Sequence, residues 1–432
     1  MQAYLLISLV LMLTSLSLAQ PQSMDEAFAP LGVYSGTTGA RTTTMTGHVF
    51  CGYQGWFNTP DDGAGLGWRH WGKATFEPGT CNVDLWPDTS EMDADERVAT
   101  PFRKPDGSVA HVYNANNPKT IARHFRWMRD YGIDGVFVQR FVTETRVPVV
   151  VHHQNTVLNA ARRSANENGR AYAVMYDLSG LKKGETAALI EDWKRLVDRA
   201  QISRDERDGA YLRHNGKPVI AMWGIGFDDG RSYTLEECGK VIDFLKHDPV
   251  YGDNTVMIGV PTYWRTAGND TVKDSQLREV IAKADIVSPW TVGRFSTPAY
   301  AGKYAREQVV ADLAWCRDQG IEFLPVMFPG FSWHNMKPEA KSNDIPRRRG
   351  EFFWAQAVAH KNAGTTMAYV AMFDEVDEAT AIYKLDPNPP TGASVFVNEK
   401  DVPADHYLWL TGQIARLFRG EIEPSDALPK RE

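Results

Sequence analysis

The chain has 432 residues, 43% of them hydrophobic, which suffices for one large core or two ordinary domains and is too apolar for a disordered protein. The formal net charge of −7 is spread with both signs interspersed, and no block of like charge exceeds the Arg347-Arg348-Arg349 run, so a phosphate backbone finds no basic stripe and nucleic acid is not an expected partner. The 13 Trp, 16 Tyr and 19 Phe supply flat apolar faces with polar edges, which suit sugar rings as well as cores.

In chain order, residues 1–19 carry an apolar run from Tyr4 to Leu18 and end in the small-x-small triplet Ser17-Leu18-Ala19. That is the pattern of a cleaved export signal. The run is short for a spanning helix and no Cys follows it as a lipid anchor, so the expectation is a periplasmic or extracellular protein free of the membrane, acting as a monomer. Residues 20–46 read as a lead-in, 47–420 as the folded domain and 421–432 as a tail.

From residue 48 onward, eight short apolar runs alternate with eight amphipathic stretches. The runs are 48–56, 132–141, 171–180, 217–226, 254–264, 284–293, 321–330 and 365–375; the helical stretches are 118–132, 154–169, 185–200, 234–248, 274–284, 303–320, 347–364 and 404–420. Near-continuous apolar strands imply a parallel sheet covered on both faces, and closure at eight predicts an α/β fold of the (β/α)8 TIM-barrel type. A doubly wound open sheet would carry a Gly-rich phosphate turn after its first strand, and "GYQGWF" is not one. Residues 58–118 form a long insertion after strand 1, placed to cover the catalytic face, and 385–403 form a second long loop after strand 8.

In a barrel, function sits at the C-terminal strand ends. Those ends read Tyr53, Gln54 and Trp56; Gln139 and Arg140; Tyr176 and Asp177; Trp223; Tyr263, Trp264 and Arg265; Trp290 and Arg294; Phe328, Trp333, His334 and Asn335; and finally Asp374, Glu375, Asp377 and Glu378. Barrel layers are filled by branched aliphatics, so packing gives no reason for aromatics to recur at this one level. Aromatic platforms interleaved with hydrogen-bonding groups fit an oligo- or polysaccharide. Arg140, Arg265 and Arg294 have two readings, pairing with an acidic sugar or with strand-end carboxylates.

The run "MFDEVDEAT" places four carboxyls within five residues. Glycosidic bonds are broken most often by two carboxyl groups, and Glu375 and Glu378, three apart, would face the pocket together while Asp374 and Asp377 point elsewhere. A helix-dipole partner lacks a cap residue here, and a calcium site lacks the spacing.

Together "FDEVDEATAIYK", "GYQGWFNTPDDGAGLGWRHWG", "GVPTYWR" and "IPRRRGEFFWAQ" resemble the bacterial proteins grouped as glycoside hydrolase family 71/99-like, often labelled xylosidase or arabinosidase, over about residues 47–418. The resemblance implies a (β/α)8 barrel, and no cofactor or metal is expected. Aligned on Phe-x-Glu-x-x-Glu-x-Thr, the catalytic pair of family 99, which comprises endo-α-mannosidases and endo-α-mannanases, falls on Glu375 and Glu378. By that likeness Glu378 is the acid/base, and Glu375 the base that acts on the sugar 2-hydroxyl with net retention. Tyr53, Trp56, His70 and Trp71 occupy places comparable to that family's strand-one aromatics and His-Trp pair. Val376 and Asp377 stand where family 99 has Trp and His, and Asp374 replaces an Asn, so mannose specificity does not carry over.

The expected substrate contacts are thus Tyr53, Trp56, His70, Trp71, Arg140, Asp177, Trp223, Tyr263, Trp264, Trp290, Trp333 and His334. The alternative is a carbohydrate-binding barrel without catalysis. A metal-dependent site built on Asp177, His70 and His334 lacks HxH or HExxH spacing, and His152-His153 reads as a helix-start pair. Cys51, Cys81, Cys238 and Cys316, without any CxxC, read as buried small hydrophobes with one bridge allowed.

Overall fold

A computed structural model describes residues 20–431, and the export-signal reading of residues 1–19 lies outside the described residues. The parallel strands are β1 (Val49–Tyr53), β2 (Gly135–Phe141), β3 (Ala171–Asp177), β4 (Lys217–Trp223), β5 (Thr255–Pro261), β6 (Ile286–Trp290), β7 (Glu322–Phe323 and Val326–Met327) and β8 (Ala368–Val370). They close into a (β/α)8 barrel. The two halves of β7 complete the ring: Glu322 and Phe323 pair with Ile286 and Val287 on β6, while Val326 and Met327 pair with Tyr369 and Val370 on β8, which in turn pairs with β1. The break falls at Leu324-Pro325, where Pro325 has no N–H to give the ladder.

Around the sheet lie α1 (Pro118–Tyr131), α2 (Pro148–Asn168), α3 (Ala187–Ala200), α4 (Leu235–His247), α5 (Gln276–Ile281), α6 (Pro298–Tyr304, a π turn Ala305–Val309, then Val310–Gln319), α7 (Glu351–Ala363) and α8 (His406–Arg419). Two starts differ from expectation for the same reason. Pro148 and Pro298 both sit in the first turn, where the missing N–H costs nothing, so α2 and α6 begin about one and a half turns earlier than their apolar periodicity suggests. His152 and His153 therefore lie inside α2.

Alternate strand residues point to opposite sides of the sheet. On β2, Gln139 and Phe141 face the barrel axis, so Arg140 between them points out, against α3. There its guanidinium donates to Asp192 at 2.8 and 2.7 Å and to Asn155 Oδ1 at 3.0 Å, and the Tyr176 hydroxyl donates to the same Asp192 at 2.6 Å. Arg140 is a structural ion pair, not the substrate contact expected from its position at a strand end. Tyr53 is corrected by the same parity: it faces α1, its hydroxyl 2.9 Å from His124 Nδ1, its ring against Phe125 and Phe373. Inward-pointing Gly259 leaves room for Trp223, because a Cβ there would lie 2.2 Å from the indole.

The 58–118 insertion is an ordered cap. It contains a hairpin, Arg97–Arg103 with Val109–Tyr113, and a buried cluster of Phe76, Trp86 and Phe102 that also takes Phe396 from the second long loop. Backbone bonds from Asp386 to Trp86 (2.9 Å) and from Thr391 to Arg103 (3.1 Å) join the two loops. The lead-in is bound to the outside of the barrel through Tyr34 N–H to Asp205 and Gly39 N–H to Asn166. All four cysteines are free and buried.

Removing one partner of a fully buried ion pair strands the other. Arg140→Ala is therefore expected to destabilise the fold by about 3–5 kcal/mol, measured by urea unfolding, with the loss shared by Asp192→Ala rather than added to it in the double variant.

Candidate active site

The chain leaves β8 and turns back on itself, Ile382 N–H bonding to the Met372 and Phe373 carbonyls, so that residues 374–380 form a loop over the barrel mouth. Its four carboxyls have four different roles in the geometry. Asp374, 1% exposed, accepts the Gln54 and Gly55 backbone N–H groups, one on each oxygen at 2.8 Å, and so ties the loop to the end of β1. Glu375 is held from both sides, Oε1 by the Gln54 amide at 2.8 Å and Oε2 by the Thr380 hydroxyl at 3.0 Å. Asp377, 2% exposed, meets His70 Nδ1 at 3.2 Å through Oδ2, while its Oδ1 is buried without a partner. Glu378 lies half-buried on the cavity wall.

The cavity measures about 480 Å³. Its walls come from β1 and its insertion (Gln54, Trp56, His70, Asn82), from β2 and β3 (Gln139, Phe141, Met175, Asp177, Ser179), from Trp223 and Trp290, and from Met336 beside the β8 loop. Trp223 and Trp290 meet edge to face, 5.5 Å apart at 74°, and Arg231 lies over Trp223 at 4.9 Å. One face of Trp56 is taken by His70, stacked at 3.7 Å with planes 4° apart. Trp56 therefore offers the cavity less stacking surface than its place at the strand end suggests.

Burial is the main force on every acid here. It pushes Asp374 and Asp377 up to about 7; Glu378 also rises to about 7, with repulsion from Asp377 and Asp177 added and Lys337 opposing. Glu375 is raised by burial and by repulsion from Glu378 and Asp377. Donors from Gln54 and Thr380 oppose that rise at Glu375, and Glu378 has no such donors. Burial and Arg69 push His70 down to about 3, so a neutral ring meets Asp377, Nδ1 and Oδ2 sharing one hydrogen at 3.2 Å.

Of the residues expected from sequence, Trp56, His70, Asp177, Trp223, Trp290, Glu375 and Glu378 share this cavity. Asp377, read as pointing elsewhere, joins them. Five further positions lie away from the wall besides Tyr53 and Arg140. Trp71 is buried in the cap with its indole N–H on the Tyr113 carbonyl, and Trp264 is buried edge to face with Trp315. Tyr263 packs against Tyr304, while Trp333 packs against Phe331 with the Lys337 ammonium 3.7 Å over its ring. His334 is spent on loop structure, its Nδ1 at 2.7 Å from the Ala340 carbonyl and its N–H on Asp84. Arg265 and Arg294 are paired with Asp312 and Asp270. Among the described residues no group of three or more His, Cys, Asp or Glu is placed to hold a metal ion.

Two supporting residues are not among the site residues expected from sequence. Asp84, in the insertion, accepts the Ser332 hydroxyl and the His334 and Asn335 N–H groups, joining the cap to the β7 loop. Arg347 donates to the Ala379 and Ala381 carbonyls at 3.0 and 2.8 Å and so fixes the far side of the acidic loop. Met175 and Asn82 on the wall were also missed; inward parity with Asp177 would have found Met175.

No protein-family model matches the chain, and no curated protein matches its sequence. Solved structures share its fold. A GH99 endo-α-mannosidase from Bacteroides thetaiotaomicron superposes with TM-score 0.61 at 17% identity, covering 88% of this chain and 99% of its own, and a second structure bearing the same description gives 0.58 at 18%, covering 87% and 99%. A glycoside hydrolase-like protein gives 0.52 at 13%, covering 90% and 98%.

A carboxyl raised above its ordinary value holds a proton in the folded state that the unfolded chain gives up. Its stabilising contribution is full at low pH and is lost as pH rises through the folded value, here about 7 for Asp374, Asp377 and Glu378. Stability is therefore expected to fall from pH ~4.5 to pH ~8, and Glu378→Gln is expected to flatten that slope and exceed the wild type at pH ~8 in urea unfolding.

Proposed function

We propose that the chain is an exported glycoside hydrolase that cleaves α-linked glycans with retention, using Glu378 as acid/base and Glu375 as the base that engages the sugar 2-hydroxyl or stabilises charge at the anomeric carbon. One observation carries the reading: in a single Trp-walled cavity, one glutamate is held by two donors and a second, raised to about 7, stands in the wall without such donors. Glycoside cleavage asks for two such carboxyls, one oriented at the reacting centre and one with a transferable proton. The fold shared with GH99 endo-α-mannosidases supports it.

In the first step Glu378 gives its proton to the leaving glycosidic oxygen as the C1–O bond breaks, while Glu375 withdraws the 2-hydroxyl proton and the 2-oxygen bonds to the anomeric carbon. In the second step water attacks the anomeric carbon and gives a proton to Glu378, the bond from the 2-oxygen breaks, and Glu375 returns its proton to that oxygen, which restores both groups. Gln54 and Thr380 keep the Glu375 oxygens aimed, and the Trp290 ring supplies an apolar face beside them.

Glu375→Gln and Glu378→Gln are each expected to lower kcat/KM on the cleaved α-glycan by about 10²–10⁴-fold while leaving the circular dichroism unchanged. Turnover should fall above pH about 7 as Glu378 loses its proton. Full activity in either variant defeats the assignment, and glycan binding without turnover by the wild type would favour a carbohydrate-binding barrel. Product anomers followed by NMR test retention.

A further inference from the structure

The ionisable groups on the cavity wall are Asp177, Glu375, Asp377, Glu378 and the neutral His70; the wall contains no Arg or Lys. The three strand-end arginines that would greet an anionic sugar are bound to Asp192, Asp312 and Asp270. Three cations are held outside the wall: Arg231 is paired with Asp229 and stacked on Trp223 and Phe227, Lys337 is stacked on Trp333, and Arg69, close enough to act on His70, is paired with Glu144.

A second feature is independent of charge. Gln139, 8% exposed, and Asp377, 2% exposed, each present a buried oxygen without a partner, and Gln54 and Asn82 each add another. The Gln54 and Asn82 amides are oriented by their own NH2 groups, which donate to Glu375 and to the Gly72 carbonyl, so their free atoms are acceptors. The wall's unpaired donors are the Trp56 and Trp223 indole N–H groups. Buried acceptors left unmet are costly, and a ligand whose hydrogens reached them would lower that cost.

Resting on the glycosidase reading of this cavity, we propose that its substrates are glycans presenting hydroxyl or amine hydrogens, that glycans bearing carboxylate, sulfate or phosphate are excluded, and that Asp177 is the residue that enforces this choice. Asp177 stands at the end of β3, outside the acidic loop. One oxygen accepts the Ser179 N–H at 2.7 Å, which holds the side chain in place. Above pH about 7, where Asp377 and Glu378 give up their protons, an anionic group entering the cavity meets like charges from the β3 end and the β8 loop, with Arg231 and Lys337 held behind the wall.

The test reads the cavity's field without needing the right sugar. Trp290, on the wall, is isolated as the fluorescence difference between wild type and Trp290→Phe, and its quenching by caesium, iodide and neutral acrylamide is compared at pH 8 and constant ionic strength. Caesium, normalised to free tryptophan, is expected to quench more efficiently than iodide by about tenfold, and Asp177→Asn is expected to narrow that gap while acrylamide quenching stays unchanged. Equal quenching by the two ions, a preference for iodide, or a gap that Asp177→Asn leaves intact overturns the proposal. If caesium is preferred but no neutral α-glycan is bound or cleaved, the glycosidase reading fails and the charge assignment stands.

Discussion

Closing a parallel sheet on itself leaves each strand residue two directions, into the barrel or out against the helices, and the rest of this structure follows from that alternation. It sends Gln139, Phe141, Met175, Asp177 and Trp223 to one enclosed volume. The same step of one residue sends Arg140 and Tyr176 to Asp192 and Tyr53 to His124. Adjacent residues at a strand end can thus differ completely in role, one facing a ligand and the next holding a helix.

Onto that frame the acidic loop is fastened from three sides. Asp374 takes two backbone N–H groups from the end of β1, Arg347 takes two carbonyls from the loop's return, and Asp84 joins the cap to the β7 loop alongside. Crowding carboxyls in a buried place is unfavourable, and these fixed donors are what makes it tolerable. The same crowding raises Glu375 further, through repulsion from Glu378 and Asp377. Stability is given up at the site in exchange for a proton held near neutral pH, a balance that recurs where function needs strained or desolvated groups.

Much of this was legible in one dimension. The eight strand–helix units, the cap after strand 1 and the catalytic candidates in "MFDEVDEAT" follow from apolar periodicity, Pro and Gly punctuation and a concentration of charge that no packing role explains. The expected aromatic rim was only partly assembled, because an aromatic after a strand end has no parity to obey. Tyr263, Trp264 and Trp333 find partners in Tyr304, Trp315 and Phe331 instead. Asp84 and Arg347 escaped notice because each acts on backbone groups far away in sequence, and such bonds leave no local pattern.

By itself the sequence determined the barrel and the position of its acidic loop, since hydrophobic period and strand order are local properties summed along the chain. Only the tertiary structure decided what each carboxyl touches. Asp374 clamps two backbone N–H groups, Glu375 is held by Gln54 and Thr380, Asp377 meets His70, and Glu378 stands on the cavity wall with a raised carboxyl. Their side chains are alike in chemistry, and what separates them is the set of hydrogen-bond partners, Gln54, Gly55, Thr380 and His70, that folding brings within 3.2 Å.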